Sequence, residues 1–338
     1  MGVKLTSILE KKPITFDELT GKTIAVDFSN SAYQFLSSIR QPDGTLLMDS
    51  KGNVTSHLMG IWTRFSNLIS KNIKLVIVLD GEMPALKRGT SEDRKERKKE
   101  AKEKFEEAYE EGDEKLMGLY AKQTSFLDKE MINESRELME AIGLPVIQAP
   151  SEADSQMAYL NKNGDVWACG TSDVDPLLHG AGRIVTNLTI SQRRKLSSGG
   201  TIKINPEVID LNDTLKKLGV NQKQLIVLAI LVGTDYNPEG IKGIGPKKAL
   251  KLVKERNDYN KMFSELNADF DWKEIYELFE NMDVLKKYKI KWESINAKKI
   301  RSILVDKHEF NEERVDKVIS KLMESNKIKE QTGLGKWM

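Results

Sequence analysis

Apolar residues gather in short runs along the first part of the chain: Thr23 to Val26, Leu75 to Leu79, Leu144 to Ile147, Val166 to Ala168 and Ile184 to Val185. Each run is too short for a helix and is flanked by polar or turn-forming residues, which predicts buried strands. Between them, His57 to Ser70, Leu127 to Ile142 and Ala153 to Asn161 carry apolar residues at helical spacing, the mark of helices with one buried face. Strands alternating with helices predict an α/β fold with a mostly parallel twisted sheet flanked by helices. From Val220 to about residue 326 the pattern is wholly helical, and a polar tail follows. Residues 82–130 break the rhythm with a basic first half (Lys87, Arg88, Arg94, Lys95, Arg97, Lys98, Lys99) and an acidic second half (Glu106, Glu107, Glu110, Glu111, Asp113, Glu114). Such a segment is too polar for a core and reads, taken alone, as a solvated helix pair.

Composition narrows the chemistry. At 338 residues the chain exceeds the size at which one core keeps growing, so one large domain with appended helices, or two domains, is expected. Lys+Arg 53 and Asp+Glu 51 nearly cancel, and any affinity for nucleic acid has to come from local patches. Cys169, the single cysteine, lies in an apolar stretch and reads as a core thiol, which excludes a disulfide framework and points to a reducing interior. His57, His179 and His308 are far apart in sequence, so a metal would be held by oxygen ligands, favouring magnesium or manganese over zinc. No apolar run is long enough to span a membrane and no cleavable signal pattern is present. MGVKLT fits the myristoylation pattern but lacks the second signal that stable anchoring needs.

The acids then change the picture. Asp27 follows the first run, Asp80 the second, Glu152 and Asp154 the third, and Asp173 and Asp175 the fourth. In an open α/β sheet the carboxyl ends of parallel strands form the ligand-binding edge, so these side chains are expected to converge. Asp235, in VGTDYN after the apolar helix Leu225 to Val232, can join them. One such acid would be an ordinary turn or cap residue, as Ser151, Ser172 and Asp175 before Pro176 can be. Six after four strands call for another explanation. Carboxylates gathered without Lys or Arg partners repel one another, and a stable cluster implies divalent cations. This many oxygens can hold two ions, the arrangement that serves phosphodiester hydrolysis.

A second stretch, GIKGIGPKKA at residues 240–249, joins the helix ending near Val232 to one starting at Pro246. Gly243 and Gly245 let the backbone approach a ligand, and the free N–H groups after Pro246 face outward as an anion site. Lys242, Lys247 and Lys248 add positive charge, which a plain helix-helix turn does not need. Contacts of this kind grip phosphates whatever the base sequence.

IAVDFSNSAYQFL, VIVLDGEMPALKRG, QAPSEADSQMAYL, GTSDVDPLLHG and VGTDYNPEGIKGIGPKKA, in that order, resemble the blocks of the flap endonucleases, structure-specific 5′ nucleases, and most of all the archaeal members. The resemblance covers residues 2 to about 256 and is looser after 260. It implies a PIN-like 5′ nuclease fold with a helical arch and a helix-hairpin-helix-type motif. It divides the chain into an N-terminal nuclease region (1–98), the arch (82–130), an internal nuclease region (116–258) with the hairpin motif at 220–256, C-terminal helices (259–330) and a tail (331–338). It also implies two magnesium ions, with manganese as a substitute, held by Asp27, Asp80, Glu152 and Asp154 on one side and Asp173, Asp175 and Asp235 on the other. Lys87 and Arg94 match the family's basic catalytic residues, and Tyr33 an aromatic that stacks on a base. The glycine hairpin implies a duplex grip, often with a monovalent cation, and the 5′ single strand would pass through the arch. Gln331, Leu334, Trp337 and Met338 resemble the box that seats in a sliding clamp, the PCNA type.

Departures from the family pattern fall at four positions. Asp154 stands where glutamate is usual, one methylene shorter, which favours binding metal through water. Pro176 and His179 replace a small residue and a phenylalanine, and His179 is expected to pack at the edge of the core. Met338 replaces the second aromatic of the clamp box. The reading is a magnesium-dependent 5′ flap endonuclease with 5′-3′ exonuclease action on branched DNA in replication, including Okazaki fragment processing, and repair. It would work in the cytoplasm, at the nucleoid if archaeal. The alternatives are a metal-dependent small-molecule phosphatase, against which GIKGIGPKKA argues, and a non-catalytic DNA-junction or clamp adaptor, against which the full set of seven acids argues.

Overall fold

The computed structural model describes residue 3, residues 5–87, 96, 99–101, 103–104, 126–190, 193–195, 200–281 and 283–334, without the side chains of 193–195, 201 and 325–334. Strands β1 (Lys12–Pro13), β2 (Thr23–Asp27), β3 (Lys74–Leu79), β4 (Val146–Gln148), β5 (Ala168–Gly170), β6 (Arg183–Thr186) and β9 (Glu207–Asp210) form one sheet in the order β1-β9-β6-β5-β2-β3-β4. Strands β7 (Arg193–Lys195) and β8 (Thr201–Lys203) pair as a separate antiparallel ribbon. From β6 through β4 every pairing is parallel, and only β9 and β1 run against their neighbours. The predicted mostly parallel sheet is therefore present, with an antiparallel margin that the sequence pattern did not reveal.

The chain order explains where a site can form. From β2 the chain goes to β3 and β4 on one side, then crosses back to β5 and β6 on the other. The reversal opens a crevice at the carboxyl ends of β2 and β5, where loops diverge to opposite faces. Side chains along β2 and β3 alternate between two cores. Ala25, Val76 and Val78 join the face that holds the helices Ala153–Lys162 and Gln222–Val232. Ile24, Val26, Leu75, Ile77 and Leu79 join the face that holds the helices Phe28–Ser38 and Lys129–Ala141. The helix Gln222–Val232 is buried all round from Leu225 to Val232, as a segment apolar on every side has to be.

Several boundaries differ from the pattern. The third apolar run begins its strand two residues late, at Val146, because Leu144 and Pro145 finish the turn after the preceding helix. The fourth ends two residues later than its apolar run, at Gly170. The helix Phe28–Ser38 was not predicted, since its serines and Asn30 mask the buried positions Phe28, Ala32, Phe35 and Leu36. The region after Val220 is not wholly helical: residues 283–296 form an irregular strap. The Trp292 indole N–H donates to the Leu75 carbonyl at 2.9 Å, and the Gln156 side chain exchanges two hydrogen bonds with Leu285. The last helix, Glu312–Leu334, runs past residue 326, through a stretch with no helix-breaking residue before Gly333.

Beyond their formal ends, β3 and β4 stay paired, with Gly81 N–H donating to Ser151 and Glu82 N–H to Pro150. This closeness leaves no room at Gly81, where a Cβ would stand 2.1 Å from the Ala149 carbonyl oxygen. Gly81→Ala is therefore expected to lower unfolding stability by about 1–3 kcal/mol, the usual result of overpacking. Urea unfolding at constant m-value checks this, and an unchanged midpoint would contradict it.

Candidate metal centre and nucleic-acid interface

Asp27 is the last residue of β2 and caps the helix that follows, its Oδ1 accepting from the Asn30 N–H at 2.9 Å. Asp80 comes directly after β3 and accepts from the Ala153 N–H at 2.8 Å, which ties it to the first turn of the helix Ala153–Lys162. Glu152 sits at the N-cap of that helix and Asp154 in its first turn. Asp173 accepts from the Val174 N–H at 2.9 Å, and Asp175 from the Val3 N–H at 3.3 Å. Asp235 is set by a tight turn in which Thr234 Oγ1 donates to Asn237 Oδ1 at 2.6 Å and Asn237 Nδ2 to the Ile230 carbonyl at 2.8 Å.

Three of the acids meet closely, and charge interactions tie Asp27, Asp80, Glu152 and Asp235 to them. Asp154, Asp173 and Asp175 each offer an oxygen within 4.8 Å of the others. Burial, then Asp80 and Asp173, push the Asp27 carboxyl up to about 8. Burial raises Asp154 well above the ordinary carboxylate range, and Asp173, Asp27, Asp175 and Glu152 raise it further. Asp173 and Asp175 are raised by burial, with Asp235 adding its repulsion to both. The Oδ1 of Asp154 is enclosed and has no hydrogen-bond partner among the described residues. A set of hard oxygen donors, mutually repelling and with one buried acceptor unsatisfied, fits a divalent cation of the magnesium type. Asp154, which the resemblance groups with Asp27, Asp80 and Glu152, stands beside Asp173 and Asp175 and so lies where the two groups meet.

The cluster is not without a basic partner, as the sequence positions suggested. A 3₁₀ turn at Ala85–Lys87 brings the Lys87 ammonium back over the basin, in contact with Glu152 and 3.1 Å from Asp235. Burial opposes its charge, yet Glu152 and Asp235 outweigh that and hold its pKa above the ordinary lysine value. Tyr236, which sequence reasoning missed, donates its hydroxyl to Glu152 and places its ring 5.8 Å from the Lys87 ammonium. The one available signal was its place beside Asp235 in VGTDYN. Arg94 lies outside the described residues, as does most of the expected arch.

Tyr33 is 38 % exposed on the helix Phe28–Ser38, six residues beyond Asp27, or about 9 Å along a helix axis. The glycine loop takes the expected form: Gly243 has φ 78°, in the left-handed region, and Ile241 and Ile244 are buried and pin the loop to the core. Pro246 starts the helix Pro246–Glu255, and Lys242, Lys247 and Lys248 are exposed around it. His179 is buried with its ring 5.1 Å from that of Phe279, the packing role expected for it, and burial lowers its pKa to about 4. Gln331 and Leu334 fall on the last helix, with side chains outside the described residues, and Trp337 and Met338 lie outside them altogether.

Residues 1–101 match the XPG N-terminal domain and residues 143–235 the XPG I-region. Flap endonuclease 1 of Staphylothermus marinus is 42% identical over 348 residues, which span 100% of this chain and 99% of that protein. The solved flap endonuclease-1 from Methanococcus jannaschii superposes with a TM-score of 0.78 at 36% identity, over 97% of this chain and 100% of that one. Human GEN1 in complex with Holliday junction DNA superposes with a TM-score of 0.72 at 26% identity, over 97% of this chain and 79% of that one.

The raised Asp27 carboxyl makes stability depend on pH. An acid whose folded pKa is raised keeps a proton that the unfolded chain has released, so stability falls as pH rises toward about 8. His57 and His179, lowered to about 4 by burial, give the opposite slope, but it is complete near the ordinary histidine value of about 6.5. In chelator the melting temperature is therefore expected to drop between about pH 7 and pH 8, with the drop removed by Mg2+ and reduced in Asp27→Asn. A melting temperature that rises across this window in chelator would contradict the carboxylate reading.

Proposed function

Because the chain belongs to the flap endonuclease family, we propose that its carboxylate basin hydrolyses phosphodiesters of branched DNA at the base of a 5′ flap, with 5′-3′ exonuclease action, in replication and repair. The observation that carries this reading is a buried carboxylate cluster at the switch point of the sheet, built on Asp154, Asp173 and Asp175, with an exposed basic glycine hairpin on the loop that carries Asp235. Asp27, Asp80, Glu152, Asp154, Asp173, Asp175 and Asp235 would hold two magnesium ions. Bound there, the ions would supply a nucleophile at neutral pH and offset charge on the scissile phosphate.

The chain's own residues do the rest. Lys87, at the mouth of the basin, is placed to meet negative charge that grows on the phosphate, and Arg94 is assigned the same task through the family pattern. Tyr33 offers a stacking face to a base beside the cut, without regard to sequence. Gly243, Gly245, Lys242, Lys247 and Lys248 grip the phosphate backbone of the duplex, and a monovalent cation at the hairpin would add to that grip. We assign the arch to residues 82–130, the nuclease regions to 1–98 and 116–258, and the C-terminal helices to 259–330. We further assign Gln331, Leu334, Trp337 and Met338 of the 331–338 tail to a sliding clamp of the PCNA type. No helix among the described residues is long and apolar enough to cross a membrane, and a DNA substrate places the enzyme inside the cell.

Cleavage of a labelled 5′ flap, a blunt duplex and a phosphomonoester, with Mg2+ and with chelator, separates this reading from a phosphatase. Only the DNA substrates should be cut, and only with metal. Asp235→Asn should lower the single-turnover rate by about 10² or more while flap binding persists, because affinity resides mainly in the basic side chains. Binding lost in step with activity would refute that division of labour.

Lys247→Ala combined with Lys248→Ala should weaken binding to every duplex sequence alike and flatten the salt dependence by about one slope unit for each phosphate left without its lysine. Equilibrium binding at several salt concentrations provides the check, and an effect confined to particular sequences would count against the hairpin reading.

A further inference from the structure

We infer that Tyr236 is a positioning residue of the metal centre, holding Glu152 and Lys87 in a single arrangement. The assignment rests on the reading of the carboxylate basin given above and goes beyond the seven acids and two cations. Tyr236 is 8 % exposed, and its hydroxyl donates to Glu152 Oε2 while Lys87 takes Glu152 Oε1. The two carboxylate oxygens are thus divided between two donors. The same Lys87 ammonium lies 3.1 Å from Asp235 and 5.8 Å from the centre of the Tyr236 ring.

Tyr236 is itself fixed from several sides. Its backbone N–H donates to Thr234 Oγ1 at 3.1 Å. Its ring meets Phe279 edge-on at 5.4 Å and 74°, and Phe279 is backed by His179, whose Nδ1 lies 3.1 Å from the Phe279 carbonyl oxygen. The helix Trp272–Asn281, far from the sheet in sequence, is in this way connected to the mouth of the basin.

A glutamate side chain has several rotatable bonds, and a partner that orients it before metal arrives removes the need to order it afterwards. Lys87 has to release Glu152 and Asp235 when cations bind there. The face of Tyr236 then remains as a seat for its charge, and the ammonium stays near the reacting phosphate. Core packing alone would need the ring and not the hydroxyl, so the two roles can be separated.

The test uses the full chain with Tyr236→Phe and Tyr236→Leu, each alone and combined with Lys87→Ala. The readouts are Mn2+ binding, followed by the spin-resonance signal of the free ion, and single-turnover cleavage of a flap at saturating metal. Tyr236→Phe should weaken Mn2+ binding about tenfold, as loss of a partner that orients a metal ligand commonly does, and should shift the Mn2+ dependence of cleavage by the same factor. Tyr236→Leu should also lower the saturating rate, but add nothing to the loss already caused by Lys87→Ala, because both act through one ammonium. Wild-type Mn2+ affinity in Tyr236→Phe would overturn the assignment, as would losses in Tyr236→Leu and Lys87→Ala that simply multiply. A wild-type protein that takes up no Mn2+ would bring down the reading of the basin itself, and this assignment with it.

Discussion

Like charges brought together out of water set the terms for the rest of this molecule. Each buried carboxylate loses hydration worth several kcal/mol, and each further neighbour adds repulsion. The chain offsets part of this with local donors: the N–H groups of Asn30, Ala153, Val174 and Val3 each serve one acid. Hydrogen bonds to a charged group contribute about 1.5–3 kcal/mol apiece, which is not enough to hold so many ionised acids together. The remainder is met by protonation, visible in the raised values of Asp27, Asp154, Asp173 and Asp175, by Lys87, and in the working enzyme by bound cations. A basin this unfavourable without metal is poised to take up metal, so its instability and its proposed chemistry have one origin.

The parallel sheet is what makes such a gathering possible. Backbone hydrogen bonds between β2, β3, β4 and β5 fix the carboxyl ends side by side, so the six acids at or after these strands start from fixed positions, while Asp235 comes from the turn after the helix Gln222–Val232. The close approach at Gly81 extends that grip past the strands, where Asp80 and Glu152 emerge. Two apolar cores, one on each face, then carry the sheet. The strap at residues 283–296 is fastened to the sheet through Trp292 and, through Leu285 and Gln156, to the helix Ala153–Lys162 that packs on it.

The acids were legible in the sequence because strand ends and polar residues coincide there, and a parallel sheet brings strand ends together whatever the side chains. The helix Phe28–Ser38 was less legible. Its cap, Asp27, is also the end of a strand, and four serines with Asn30 lower its propensity although the buried positions are helically spaced. Strands β1 and β9 escaped because short margins such as KP and EVID need no continuous apolar run. Lys87 lay in a run of charges whose surroundings no periodicity can report, and the family resemblance alone singled it out. Tyr236 was hard to read for a related reason: its importance is a matter of three-dimensional neighbours, and its place beside Asp235 was the one local signal. The hairpin, by contrast, could be read directly, because glycine at a left-handed position, proline at a helix start and exposed lysines are local requirements.

One loop ties grip to chemistry. Asp235 belongs to the basin and Gly243 to the hairpin, and they are only eight positions apart in the chain. Fully extended that length spans less than about 29 Å, and the turn at Thr234–Asn237 shortens it further. Ile241 and Ile244 are buried along it, and the Ile241 N–H donates to the Leu231 carbonyl at 2.9 Å, so the loop cannot stretch or swing as a free linker would. If the hairpin holds duplex backbone as proposed, the phosphate presented to the basin lies within that reach, fewer than about nine base pairs at 3.4 Å each. The helix Gln222–Val232 anchors one end of this loop and the helix Pro246–Glu255 the other, and both are packed into the same core. The site of cleavage is then set by a fixed distance from the duplex and not by base sequence, which is how a nuclease with sequence-independent contacts can still cut at one position on a branched substrate.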